Sequence, residues 1–299
     1  MKEECAATQG IAAFFDVDGT LIPGPSLERR FFRAVRQSGA IPIGNYFLWA
    51  QEALRLLPKG IAATVHENKR HWSGVRCDQV LQQMEVVVFF EEGMKRAAWH
   101  ARQGHRIVLV SGMPEALAGV VARAMECELE SRGVCSELLA CATRMEERDG
   151  RWTGRLLGEA MYGEEKLRAV KRIAQEHRID LLGSHAYGNT LLDRPMLAAV
   201  GHAHVVNPEW DLAAVRISTT GRFGIGMWRN RPGRICGWPK QLCETGRTGH
   251  EREKGAECGI GDNCRDLAGA GTRERGRCLP ERCGVRCWQS AEVDARGSC

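Results

Sequence analysis

Ile11-Ala12-Ala13-Phe14-Phe15-Asp16-Val17-Asp18-Gly19-Thr20 decides how this chain is read. Five apolar residues, two of them large aromatics, form a short run suited to a strand buried on both faces of a parallel sheet. The run stops abruptly at two carboxylates, a glycine and a hydroxyl. In open parallel sheets, ligands bind beyond the carboxyl ends of the strands, so Asp16 and Asp18 are expected to emerge together at the mouth of a site. Two carboxylates one residue apart also suit a hard cation such as Mg²⁺, which prefers oxygen ligands. The same letters occur in ordinary Asx turns. A calcium loop fits poorly, because its glycine belongs at the sixth position and its twelfth place, here Leu27, calls for Glu.

Three later segments extend the pattern. Arg106-Ile107-Val108-Leu109-Val110-Ser111-Gly112 is again an apolar strand ending in a small hydroxyl residue and a glycine, and Met113 to Arg132 reads as the helix that follows. Ser111 is positioned to donate to an anion near that helix N-terminus. Gly163-Glu164-Glu165-Lys166 opens an amphipathic stretch running to about His177, placing Lys166 in a first helical turn. Asp180 to Tyr187 reads as a strand leading into Gly188-Asn189-Thr190-Leu191-Leu192-Asp193, where Asn189 and Asp193 share a face if the turn is helical. Singly, each has a plain structural reading as a cap, a solvated lysine or turn chemistry.

Taken together and in this order, the four segments resemble the motifs of the haloacid dehalogenase-like (HAD) superfamily over roughly residues 11 to 210. The flanking Arg194-Pro195-Met196-Leu197 and Val205-Val206-Asn207-Pro208 share the likeness. The resemblance implies an α/β fold: a doubly wound parallel sheet, the HAD-like Rossmannoid core, with an inserted helical cap. It implies a phosphatase that hydrolyses a small phosphomonoester through an aspartyl-phosphate. Asp16 takes the role of nucleophile and Asp18 that of acid and base. Thr20, Ser111, Gly112 and Lys166 bind phosphate, and Asp16, Asp18, Asn189 and Asp193 hold Mg²⁺. Two positions depart from the pattern. Asn189 stands where the family usually has Asp, which puts metal affinity in question. Pro25 stands where phosphoserine phosphatases carry Glu, which leaves Glu28 and Arg29 as nearby polar candidates and phosphoserine specificity unsupported. Phosphotransfer to an acceptor other than water, or binding of a phosphorylated ligand without turnover, remain the alternative readings.

Between Thr20 and Ser111 lie far more residues than a strand-to-helix loop needs. Residues 23–88 are mostly helical in pattern, with Ser26 as N-cap before Leu27, then Phe47 to Leu57, Ala62 to Trp72, and Cys77 to about Phe90. They resemble the cap of the phosphoserine-phosphatase-like branch, inserted between core segments 11–22 and 89–215. Ile41, Ile43, Tyr46, Phe47, Leu48, Trp49, Leu54, Leu56 and Leu57 make this cap unusually apolar, for which internal cap packing is the first reading and a lipid-like phosphate substrate or interfacial docking the other. Glu137 to Glu147 and Arg151 to Leu157 flank an Asp149-Gly150 turn and read as a hairpin.

Residues 216–299 form a Gly-, Arg- and Cys-rich tail with little apolar periodicity, expected to be disordered or non-native. Cys278, Cys283 and Cys287 are close, yet no Cys-x-x-Cys is present to argue for zinc. The net charge of +5 is that of residues 221–299, so the catalytic part gives no electrostatic case for nucleic acid. The five earlier cysteines, Cys5, Cys77, Cys127, Cys135 and Cys141, show no disulfide-like spacing. No basic-then-apolar leader and no run long enough to span a bilayer is visible, so a cytoplasmic protein without integral membrane association is expected.

Overall fold

A strand apolar on both faces must lie in the middle of a sheet, and β1 (Ala12–Phe15) does: all four residues are fully buried. On one side it pairs with β2 (Arg106–Pro114), on the other with β6 (His185–Gly188), with Phe15 opposite both Leu109 and Tyr187. The computed structural model describes residues 9–76, 87–209, 212, 222–228 and 286–287, all within one compact unit. Further strands are β3 (Leu138–Thr143), β7 (His202–Val206), β8 (Arg222–Gly226) and the two-residue β9 (Arg286–Cys287). The order is β8-β7-β6-β1-β2-β3-β9 and every pairing is parallel. Chain order therefore reverses direction at β1, which leaves a crevice beyond its carboxyl end.

Alternate residues of β1 serve two cores. Ala13 and Phe15 pack with Leu109, Tyr187 and residues of α4 (Glu91–Arg102) and α5 (Glu115–Ser131) on one face. Ala12 and Phe14 pack with Val108, Ala186 and the α6 (Glu164–Glu176) residues Val170 and Ile173 on the other. Both faces are covered by helices, as a parallel sheet requires. The first of these faces carries polar rings at its amino end: His185 and Tyr187 from β6 lie opposite His202 and His204 from β7. Burial holds the His185 imidazole down at about 3 and the His204 imidazole at about 4, with neighbouring histidines and Arg96 adding to the effect.

The inserted segment is helical as expected. Ser26 caps α1 (Leu27–Gln37), its Oγ accepting from Arg29 N at 3.4 Å. α2 (Gly44–Leu56) and α3 (Ile61–His66) follow. The helix read over Ala62 to Trp72 stops at His66, because Asn68 turns its side chain onto the backbone: Oδ1 accepts from Arg70 N and Nδ2 donates to the Trp49 carbonyl. A 3₁₀ turn (Arg70–Trp72) then buries Trp72 between Phe31 and Trp152, with ring centroids at 5.1 and 5.8 Å. Most of the helix read from Cys77 lies outside the described residues.

Four further differences have local causes. Apolar cap side chains are not packed away: Ile43, Phe47, Leu54 and Ile61 are each more than 70% exposed. The strand read over Asp180 to Tyr187 shortens to β6, since the Asp180 carboxylate accepts from Leu182 N and Gly183 N and makes a turn there. The first hairpin arm divides at Arg144: Leu138–Thr143 is taken by the sheet and only β4 (Met145–Arg148) pairs with β5 (Arg151–Leu156). Finally, the sheet runs past residue 215, the expected end of the core, because β8 pairs with β7 along its whole length. The rest of the expected tail, β9 apart, lies outside the described residues. Among those described, no helix is long and apolar enough to cross a membrane.

Replacing fully buried Trp72 by Ala should cost about 3 kcal/mol or more in urea unfolding. Trp49→Ala, at a side chain 42% exposed, should change stability by less than about 1 kcal/mol.

Candidate active site

The turn after β1 is tight because the Val17 carbonyl accepts from both Leu21 N (2.8 Å) and Ile22 N (2.9 Å). Gly19 takes φ +81° within it, and a β-carbon there would lie 2.1 Å from Asn189 Nδ2. Only glycine lets the two loops close on each other. Asn207, in the left-handed region at φ 46°, secures the same turn from β7: its Nδ2 donates to the Gly19 carbonyl at 3.2 Å. Its Oδ1 accepts from Trp228 N at 2.7 Å, just beyond β8.

Lys166, in the first turn of α6, is the centre of the cluster. Its Nζ donates to Asp16 Oδ1 and to Asp193 Oδ1, both at 2.6 Å, and all three side chains are buried. The other Asp193 oxygen braces its own loop, accepting from Asn189 N (3.1 Å), Thr190 N (2.9 Å) and Thr190 Oγ1 (2.9 Å). Thr20 Oγ1 donates to Asp16 Oδ2 at 3.0 Å. With its nitrogen turned to the same side, the Asn189 carboxamide donates to Asp16 Oδ2 (3.3 Å), the Asp18 carbonyl (3.2 Å) and Thr20 Oγ1 (3.2 Å). The structure thus joins Asp16, Thr20, Lys166, Asn189, Asp193 and the Asp18 backbone directly.

Asp18 points its carboxylate elsewhere, toward the cap, where Oδ1 accepts from Leu27 N at 2.8 Å. Ser111 and Gly112 lie within β2, which runs on to Pro114 past the end read from sequence, with a register shift against β3 between Ser111 and Pro114. Their partners come from β2 and β3: Ser111 Oγ accepts from Met113 N (3.4 Å) and the Gly112 carbonyl from Thr143 Oγ1 (2.7 Å).

The electrostatics separate the two leading carboxyls from ordinary ones. Burial, reinforced by Asp193, raises Asp16 from 3.8 to about 7 despite Lys166. Burial also raises Asp18, with the charge of Glu28 adding to it and the Leu27 hydrogen bond opposing it. Burial alone would lower the Lys166 ammonium, but Asp16 and Asp193 carry it above its usual value.

Two cap features were not assigned from sequence. Lys69 Nζ, almost fully buried, donates to both Glu28 oxygens at 2.6 and 2.7 Å, and Trp72 Nε1 adds a bond at 3.2 Å. Burial works against the Glu28 charge, yet Lys69 brings its carboxyl below the usual range. His66 stacks on Tyr162 at 4.9 Å, and Tyr162 Oη donates to Glu67 at 3.0 Å, joining cap to core. No local pattern marks Lys69, since its partner lies 41 positions away.

The family profile described as haloacid dehalogenase-like hydrolase matches residues 13–198, more than half of the chain. The chain belongs to that family. A Mycobacterium tuberculosis protein named as a probable phosphatase is 34% identical over 132 residues, covering 44% of this chain and 42% of that protein. The chain therefore spans less than half the length of this relative. Phosphoserine phosphatase SerB1 of the same species is 29% identical over 245 residues, covering 72% of this chain and 74% of its own. A Bordetella pertussis protein described as of unknown function shares the fold, with a TM-score of 0.50 at 22% identity over 69% of this chain and 94% of that one.

The raised Asp16 carboxyl fixes the sign of a pH effect. A folded-state value near 7 against 3.8 means the folded protein holds more protons than the unfolded between those limits. Stability of the chelator-treated protein should therefore fall as pH rises from about 4 to about 7. In Asp16→Asn that slope should be markedly flatter, as read by urea midpoints across the range.

Proposed function

We propose that this protein is a Mg²⁺-dependent phosphatase acting on a small phosphomonoester through an aspartyl-phosphate on Asp16. The observation that carries this reading is the joining of Asp16, Lys166 and Asp193 by two 2.6 Å bonds at the carboxyl end of β1. An ammonium held there neutralises the nucleophile at rest and is in place for the oxygens of a transferring phosphoryl group. The phosphatase names of the two mycobacterial relatives support the same reaction class.

The donor set suits Mg²⁺. Asp16 Oδ2 and the Asp18 carbonyl lie 3.3 and 3.2 Å from one end of the Asn189 carboxamide. A half-turn of the amide presents a third oxygen to the same point, which is the hard-ligand environment the ion prefers. These three groups would hold it, and its charge would add Lewis-acid stabilisation to the phosphoryl oxygens. Asp193, with both oxygens engaged by Lys166 and its own loop, acts as a positioning residue.

A carboxylate oxygen of Asp16 attacks phosphorus while the bond to the leaving alkoxide breaks. Asp18, whose buried carboxyl favours the protonated form, gives its proton to that alkoxide. The Asp18 carboxylate then takes a proton from water as the water oxygen attacks phosphorus and Asp16 is released. Thr20 orients Asp16, and Ser111 of β2 donates to the phosphate. The cap joins the site through the Asp18–Leu27 bond, and the Glu28–Lys69 pair stands near enough for the Glu28 charge to act on Asp18. Pro25 and the mutual neutralisation of Glu28 and Lys69 favour a leaving group other than free serine.

Phosphate release from a panel of small phosphomonoesters, with and without Mg²⁺, tests this. Asp16→Asn should reduce turnover to background with the fold intact; activity within tenfold of wild type would remove Asp16 as nucleophile. Asn189→Asp adds a negative charge to the donor set, so half-maximal activity should need less Mg²⁺, by on the order of tenfold. An unchanged requirement would show that Asn189 is not a ligand.

A further inference from the structure

Helix α4 ends in a Schellman motif. Gly104 takes φ +73°, its N–H donates to the Ala101 carbonyl at 3.0 Å, and His105 N donates to the His100 carbonyl at 3.0 Å. This geometry brings the side chains of residues 100 and 105 together, a contact that is ordinarily apolar. Here both are imidazoles, and their Nδ1 atoms face each other at 2.9 Å. A third ring comes from the sheet: His185, first residue of β6, lies edge-on to His100 with centroids 4.6 Å apart. One ring nitrogen from each of His100, His105 and His185 lies within 4.8 Å of those from the other two. Among the described residues, no other trio of histidine, cysteine or carboxylate side chains gathers in this way.

The surroundings anchor His100. The second His100 nitrogen, Nε2, is 2.8 Å from Tyr187 Oη. A ligating histidine commonly holds its other nitrogen in just such a bond, which sets tautomer and ring orientation. His185 is stacked on His202 at 4.5 Å, and its Nδ1 lies 3.1 Å from His204 Nε2. His100 is fully buried, whereas His105 and His185 are half-buried, which leaves a route to solvent. Because β6 and β2 are entered here and the carboxylates lie at their far ends, the trio is separate from the site at Asp16.

We infer that His100, His105 and His185 form a second metal centre, for a Zn²⁺-class transition ion, at the amino-terminal end of the sheet. Three imidazoles select Zn²⁺, Cu²⁺ or Ni²⁺ over Mg²⁺ and Ca²⁺. Zn–N bonds of about 2.0 to 2.1 Å require nitrogens roughly 3.3 Å apart, reached by rotating the half-buried His105 and His185 toward the anchored His100. Water completes the coordination. The bound ion pins the end of α4 to β6.

Full-length protein, stripped with chelator and held in excess Mg²⁺, is titrated with Co²⁺ and followed by visible absorption. Wild type should bind one equivalent more than His105→Gln or His185→Gln, with the d–d spectrum of a nitrogen and oxygen site. Its thermal midpoint should rise by several degrees at roughly hundredfold excess over Kd, and the rise should vanish in both variants. Basal activity should be unaltered in the variants. Equal stoichiometry in wild type and variants overturns the inference, as does cobalt bound solely with a thiolate charge-transfer band, which would assign it to cysteines. Should the variants not fold, imidazole ¹⁵N shifts of wild type on adding Zn²⁺ decide: movement at these three rings supports the site, and none there overturns it.

Discussion

The ammonium of Lys166, buried between two buried carboxylates, is the constraint on which the site depends. It gathers β1, α6 and the loop after β6 at one point, so a displacement of any of them leaves a charge unpaired away from water. Two carboxylates share one ammonium, so Lys166 stays paired even where one of them is neutral. The same arrangement explains the division of labour between the carboxyls. Asp16 is restrained by Lys166 and Thr20, while Asp18 reaches the first backbone N–H of α1 and so links the reacting end of the sheet to the cap.

The glycines and Asn207 are the steric half of that constraint. Gly19 must lack a side chain for Asn189 to approach, and Gly188 must lack one for Asp193, whose Cβ a new β-carbon would meet at 2.6 Å. Asn207 then ties the Gly19 turn to β7 and β8. The chemistry of two loops is thus secured from a strand that contributes no reacting group. At the opposite end of the same sheet, polar rings replace the apolar residues expected of a core face, and a helix terminus, not a loop insertion, aligns two of them.

Much of the fold was legible because its signals are local. The apolar run before Asp16, the one ending at Ser111 and the amphipathic stretch from Gly163 each encode burial within a few residues, and the structure has strands β1 and β2 and helix α6 there. Boundaries failed where short-range side-chain bonds compete with periodicity, as at Asn68 and Asp180. The apolar cap residues misled for the opposite reason: hydrophobicity records a tendency to be buried but not that a partner is present.

By itself, the sequence marked the apolar runs before Asp16 and Ser111 as buried strands, since burial follows from the pattern of side chains, and only the family resemblance implied that Lys166, Asn189 and Asp193 join Asp16 and Asp18. Only the tertiary structure decided which of them touch. It put Lys166 between Asp16 and Asp193, turned Asp18 to the cap, paired Lys69 with Glu28, and set His185 beside His100 and His105. Those contacts join residues far apart in the chain, and their distances depend on the register and packing of whole elements, which no stretch of sequence carries alone.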